Sequence, residues 1–247
     1  SLKPEEAKRG LIGIPRVLNM YENYPFWHTF LSELEFSVVL SAKSTKDIFE
    51  KGISSIASDT VCYPAKLVHG HIEDLIEKGI KTIFYPSVTH EFREDPDSDN
   101  HFNCPVVTSY PEVIKSNMDS LEENDIKFIN FFITLNDKNK LKKRIYNAMK
   151  YHYPDLRQDE VNRAIDMATK EYDLFKAQVR QKGEEAVAYL DENNLKGIVL
   201  SGRPYHLDPE INHGIPELIN SLGMAVLSED SVCHLAHMER PLRVVDQ

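Results

Sequence analysis

The strongest constraint on this chain is a rhythm. Short apolar runs alternate with helix-length segments from residue 11 to residue 135. The runs are Leu11-Ile12-Gly13-Ile14-Pro15, Phe36-Ser37-Val38-Val39-Leu40, Lys81-Thr82-Ile83-Phe84-Tyr85-Pro86, Cys104-Pro105-Val106-Val107-Thr108 and Lys127-Phe128-Ile129-Asn130-Phe131-Phe132-Ile133. Each is strand-sized, β-branched or aromatic, and apolar without alternation, as strands buried on both faces are. A helix between successive strands makes the connection a crossover, so the strands run parallel. The expectation is an α/β fold with a Rossmann-like parallel-sheet domain over 11–135. Within it, Ser44 is read as the cap of a short helix through Phe49, and Pro111 and Glu112 as the opening of the helix after 104–108. A long polar loop is expected from Ser87 to His101, with the acidic run Glu91, Glu94, Asp95, Asp97 and Asp99 in solvent.

The rhythm then stops. From residue 136 to 194 there is no strand pattern. Val161, Ile165, Ala168, Tyr172, Phe175, Val179, Ala186 and Leu190 recur at helical spacings. The spacing predicts a short helix over 137–150 and a long amphipathic one over 157–192, a helical connector spanning 136–195. Gly197-Ile198-Val199-Leu200-Ser201 and Met224-Ala225-Val226-Leu227 restart the α/β pattern. Two strands are too few to hold a sheet. Residues 196–247 are therefore read as the beginning of a second α/β domain, in a fragment of a longer protein.

In open parallel sheets, ligands sit beyond the carboxyl ends of the strands. Arg16, Asn19 and Tyr24 come after the first strand and are candidates. Phe26 and Trp27 are read as packing. A second candidate stretch, Ser58-Asp59-Thr60-Val61-Cys62-Tyr63-Pro64-Ala65-Lys66-Leu67-Val68-His69-Gly70-His71, opens a helix. Pro64 fits its first turn, and Asp59 or Thr60 is the expected cap. At roughly 100° per residue, Ala65, Val68, Ile72, Leu75 and Ile76 form the core stripe, with Cys62, Lys66, His69 and Glu73 beside it. Cys62 then stands at the positive end of the helix dipole, a setting suited to a metal-binding or nucleophilic thiolate. The opposite reading is a small core cysteine flanked by solvated charges. In the second half, Gly202-Arg203-Pro204-Tyr205-His206 reads as a tight turn, with Asp208 capping the next segment.

Composition narrows the function classes. A net charge of −10 disfavours nonspecific nucleic-acid binding. No apolar run has bilayer-spanning length, and no signal-peptide pattern is seen, so no membrane is expected. Three scattered cysteines make no disulfide framework, and a reducing cytoplasm fits best.

Four motifs taken in order carry a resemblance: Ile12-Gly13-Ile14-Pro15-Arg16-Val17-Leu18-Asn19, Ser58 to Lys66, Asn103-Cys104-Pro105-Val106-Val107-Thr108-Ser109-Tyr110-Pro111-Glu112 and Gly202 to His206. Over nearly the whole chain it resembles the domain of unknown function of acyl-CoA dehydratase activase-like proteins, relatives of the 2-hydroxyglutaryl-CoA dehydratase activator. The resemblance implies a setting of low-potential electron transfer, with an activase ATPase domain among the remaining domains of a longer chain. It implies no ATP site here, since neither a glycine-rich phosphate loop nor an Asp-Gly-Gly motif occurs. In the related dehydratase subunits and double-cubane proteins, cysteines at strand ends hold iron–sulfur clusters. Cys62 matches one such position. The next, after Tyr85-Pro86, is Ser87, and Cys104 is the substitute from the following strand end. Cys233 is a weaker candidate, read as buried.

Two readings compete. In the first, Cys62 and Cys104 hold an iron–sulfur cluster, and Lys66, His69 and His71 tune it or position an acyl-CoA. Arg16 and Arg203 meet an anionic group, with Asn19 and Tyr205 also at the ligand. In the second, a noncatalytic docking or ligand-binding domain keeps the scaffold and has lost the cluster. Zinc on Cys62, His69 and Cys104 has little support from spacing. The other histidines form no ligand-spaced group.

Overall fold

The computed structural model describes residues 2–93 and 100–236. Glu94, Asp95, Asp97 and Asp99 of the acidic run, and His237, lie outside the described residues. The first half runs β1 (Leu11–Ile14), α1 (Met20–Glu33), β2 (Ser37–Leu40), α2 (Lys46–Gly52), α3 (Tyr63–Glu77), β3 (Thr82–Phe84) and β4 (Ser87–His90). It continues with α4 (Pro105–Asn117), α5 (Ser120–Glu123), β5 (Lys127–Ile129) and β6 (Phe132–Thr134). Strands β2, β1, β3 and β5 form one parallel sheet in that order. The expected parallel α/β sheet is present.

The order places the switch point between β1 and β3, where connections leave in opposite directions and a crevice opens at the carboxyl end. The run at 127–133 is two strands rather than one, because the pairing of β3 with β5 passes into a second parallel pair, β4 with β6. The Tyr85 and Ser87 N–H groups donate to the Ile129 and Phe131 carbonyls, at 3.0 Å each, across the break. Pro86, between them, has no N–H to give. The polar loop expected from residue 87 therefore begins as strand.

The described residues go on through α6 (Lys138–His152), α7 (Gln158–Glu192), β7 (Gly197–Leu200), a 3-10 turn at Pro204–Leu207, α8 (Ile215–Ser221), β8 (Ala225–Ser228) and α9 (Glu229–Val232). Both connector helices lie within a few residues of expectation. Asp137 caps α6 by accepting from the Asn139 and Lys140 N–H groups, at 3.1 and 3.0 Å. β7 and β8 pair in parallel as a separate two-stranded sheet.

The core lies on both faces of the four-stranded sheet. Phe26, Trp27 and Phe30 of α1 are buried on one face, with Trp27 against Phe84 at 5.1 Å between ring centroids. The α3 stripe Ala65, Val68, Ile72 and Leu75 is likewise buried. The first half of α7 joins this core through Val161, Ala164, Ile165, Ala168 and Tyr172. Its second half lies against α9. Among the described residues no helix is long and apolar enough to cross a membrane.

Candidate functional site

In a parallel sheet, every helix that leads back to the next strand starts at the carboxyl end. Two such starts stand side by side here. Cys62 is the N-cap of α3 and Cys104 the N-cap of α4. The expected caps Asp59 and Thr60 are not used: both lie in a turn ahead of the helix, Cys62 is extended, and Pro64 occupies the first turn. The expected strand at 104–108 is the first turn of α4, with Pro105 inside its start. Neither cysteine side chain caps its helix, so both thiols remain available, Cys62 exposed and Cys104 half-buried. Cys233, expected to be buried, is exposed at the far end of the second unit.

The second unit covers this end. Burial raises the Tyr205 phenol pKa; Arg203 opposes the rise, and Cys104 and Cys62 add to it. Both thiols and Arg203 are therefore within electrostatic reach of one tyrosine. The segment after β7, residues 202–214, forms a strap fastened by Asp208, fully buried, which accepts from the Tyr21 and Ser44 hydroxyls through one oxygen. Its other oxygen accepts from the N–H groups of Glu210, at 2.9 Å, and Ile211, at 3.2 Å, the capping role expected of it. The Tyr63 hydroxyl donates to Glu210 at 2.8 Å.

Ser44, the expected cap of α2, is thus engaged elsewhere. Thr45 caps that helix by accepting from the Ile48 N–H at 3.3 Å.

The two α3 histidines belong to the interior. His71 Nδ1 meets Ser41 Oγ at 2.8 Å and Nε2 meets Ser44 Oγ at 2.9 Å. Ser44 gives its proton to Asp208, so His71 Nε2 is the donor to Ser44, and Ser41 donates to Nδ1. Ser41 in turn accepts the Arg16 N–H at 2.7 Å. His69 Nδ1 meets Ser55 Oγ at 2.8 Å and Nε2 meets the Tyr110 hydroxyl at 3.2 Å. Burial lowers both histidine pKa values to about 4, so both rings are neutral. With both nitrogens of each ring engaged, neither histidine is placed to take a metal or an acyl-CoA.

The remaining candidates divide. The Lys66 ammonium donates to the Asp59 carbonyl at 2.8 Å, bracing the loop before Cys62. Asn19 is buried and donates to Glu91 at 3.0 Å, as Asn23 does at 2.8 Å. It is a support for the loop after β1, where Leu18 adopts a φ of 42°, a strained value for a bulky side chain. Arg16 is half-buried at the same end, its guanidinium 5.7 Å from the centre of the Tyr21 ring. Sequence reasoning missed Ser41, Ser44 as a network member, Tyr110 and Glu91. Nothing local marks them, because their partners are distant in the chain.

A cluster requires a convergent donor set, and iron–sulfur cubanes usually take four thiolates. Two thiols converge here, Ser87 stands at the third position, and both nearby histidines are engaged. Among the described residues no group of three or more His, Cys, Asp or Glu is arranged to hold a metal ion. The described residues alone do not fit a closed cluster site. Larger clefts lie elsewhere. One of about 730 Å³ is lined by Phe175, Lys182 and Leu227, and one of about 470 Å³ by Phe92, Lys138 and Arg180.

Neither a curated protein nor a solved structure matches the chain. The family model for the CoA enzyme activase uncharacterised domain matches residues 11–232, which hold the whole four-stranded sheet, both cysteine-capped helix starts and the strap above them. The chain therefore belongs to the CoA enzyme activase uncharacterised domain family.

Proposed function

We propose that this chain is a ligand-binding α/β domain of an acyl-CoA dehydratase or reductase system, receiving an anionic ligand such as an acyl-CoA at the carboxyl end of its sheet. One observation carries the reading: the Cys62 and Cys104 helix starts converge beneath Tyr205 and Arg203. Helix starts direct N–H groups and positive dipole at the same place. Arg203 and Arg16 supply the charge for phosphate or carboxylate, and Tyr205 an aromatic face. The remaining domains of a longer chain, an activase ATPase domain among them, are its proposed partners. Calorimetric titration of the intact chain with CoA and with a short acyl-CoA tests this. Arg203→Ala is expected to weaken binding at least about tenfold, the loss of one charge-assisted contact. Equal affinity in wild type and variant would remove the site from this end of the sheet.

The electron-transfer reading keeps one observation in its favour, the same convergence of two thiols. It needs further ligands from outside the described residues. Anaerobic iron–sulfur reconstitution of wild type, Cys62→Ser and Cys104→Ser decides it. Stoichiometric iron and sulfide lost in both variants supports a cluster, and no iron in the wild-type chain leaves the ligand-binding domain.

A further inference from the structure

Beneath the two helix starts, two hydroxyls are buried without partners among the described residues: Ser87 Oγ and Tyr85 OH, both fully inaccessible. Orphaned buried hydroxyls are rare and costly, and a native structure that keeps them calls for a specific reason. Their direction is set by the strand. Tyr85 and Ser87 lie two residues apart and both donate their N–H groups to the same neighbouring segment, to Ile129 and Phe131 across the break between β5 and β6, so their side chains leave the same face. Phe84 leaves the other face, onto Trp27 of α1. The Tyr85 face is the one that α4 covers, since the Tyr85 phenol lies close enough to Tyr110 for the two to interact electrostatically.

The first turn of α4 is tied to this point of the strand. The Thr108 hydroxyl and the Asn103 amide both donate to the Val88 carbonyl, at 3.0 and 3.2 Å. Ser87 is therefore aimed at the start of a 13-residue helix. There Pro105 has no N–H, Cys104 makes no cap, and the Val106 and Val107 N–H groups belong to the set that helix geometry leaves unbonded. The acceptors beside it, the Val88 carbonyl and the Glu91 carboxylate, are engaged by Thr108 and Asn103, and the groups left over are the two hydroxyls and the helix N–H groups, which can donate.

We propose that the start of α4, with Ser87 as its buried donor and Tyr85 behind it, is a binding site for an oxyanion, the phosphate or carboxylate of the ligand. This rests on the reading that the carboxyl end of the sheet binds a ligand. It assigns Ser87 a role opposite to that of a lost metal ligand. The position donates a proton to an anion where a thiolate would donate electrons to a metal.

The test uses inorganic phosphate and acetate as probes, titrated into the intact chain and followed by amide chemical shifts. Ser87→Ala is expected to weaken phosphate or acetate binding about tenfold while Cys233→Ser, exposed at the far end of the second unit, stays within about twofold of wild type. Without ligand, Ser87→Ala and Tyr85→Phe each remove an orphaned hydroxyl, so both are expected to keep or raise the wild-type melting temperature. Unchanged affinity in Ser87→Ala overturns the proposal, and so does a wild-type chain that binds neither probe. If CoA still binds that chain, the ligand-binding reading survives and the oxyanion assignment alone fails. Should Ser87→Ala fold poorly, Tyr85→Phe carries the same comparison. A Ser87→Cys variant that takes up stoichiometric iron on anaerobic reconstitution, under conditions where the wild type takes up none, would mark the position as a metal-ligand site and overturn the proposal.

Discussion

At the scale of single residues, the histidines of α3 show how little a residue type says without its neighbours. His69 and His71 share a helix with a thiol and a lysine, which reads as chemistry. Their burial and their serine partners make them neutral interior hydrogen-bonding groups instead. The consequence is a pH dependence with a definite sign. Each folded-state pKa is about 4, below the ordinary value of 6.5. The unfolded chain therefore takes up protons first as pH falls. Stability is full above pH 6.5 and falls as the pH drops from 6.5 towards 4, at up to about 1.4 kcal/mol per pH unit for each ring. Urea titrations across that window are expected to show the loss, and His69→Gln to show a shallower slope. A slope unchanged by the substitution would mean that the ring is not neutral by burial. Ser44 makes the same point as the histidines. A serine two residues before a helix reads as a cap, but its hydroxyl serves an aspartate 164 residues away.

At the scale of elements, periodicity was legible wherever burial tracks it. The α3 stripe, the two connector helices and the strands β1, β2, β3 and β7 all fall where the pattern of apolar residues puts them. Two segments did not. Val106-Val107-Thr108 is β-branched and short, a strand by composition, yet it is the first turn of α4 because Pro105 opens a helix there and tertiary packing overrides a weak propensity. The 127–133 run hid its break because nothing in it marks the switch between two strand pairs. One contact between elements was invisible in sequence. α2 and α3 cross backbone to backbone at Gly52 and Gly70, where a Cβ on Gly70 would stand 1.6 Å from the Ile48 carbonyl oxygen. Gly70→Ala is expected to cost about 3 kcal/mol or more in denaturant unfolding, since backbone rather than a side-chain tip has to move. A cost near zero would mean the two helices are free to separate.

At the scale of the whole molecule, the long helix α7 is the common member. Over 35 residues, about 50 Å, it begins in the core of the four-stranded sheet and ends against α9. Near that end, Gly183 allows the Ser231 carbonyl to approach, where an added Cβ would meet it at 1.9 Å. The second attachment is polar. Asp208→Ala leaves the Tyr21 and Ser44 hydroxyls and two backbone N–H groups without their acceptor, and is expected to lower stability by at least about 2 kcal/mol. Limited proteolysis between residues 202 and 214 should accelerate in the same variant, and cleavage at the wild-type rate would show that the strap is held without the carboxylate. None of this long-range fastening is legible in sequence, because Asp208 also caps its own turn and that local role explains it fully.

The strap over the cysteine-capped helix starts has a further consequence, in time. Chains are made from the amino terminus, and folding proceeds with synthesis. The strands of the four-stranded sheet, both cysteines and Ser87 have all been made once residue 135 has emerged. Tyr205, Arg203 and Asp208 arrive some seventy residues later. During that interval the nascent chain carries both thiols with no strap above them. Whatever is to be enclosed at this end has its widest access then, before the carboxyl-terminal half closes over it.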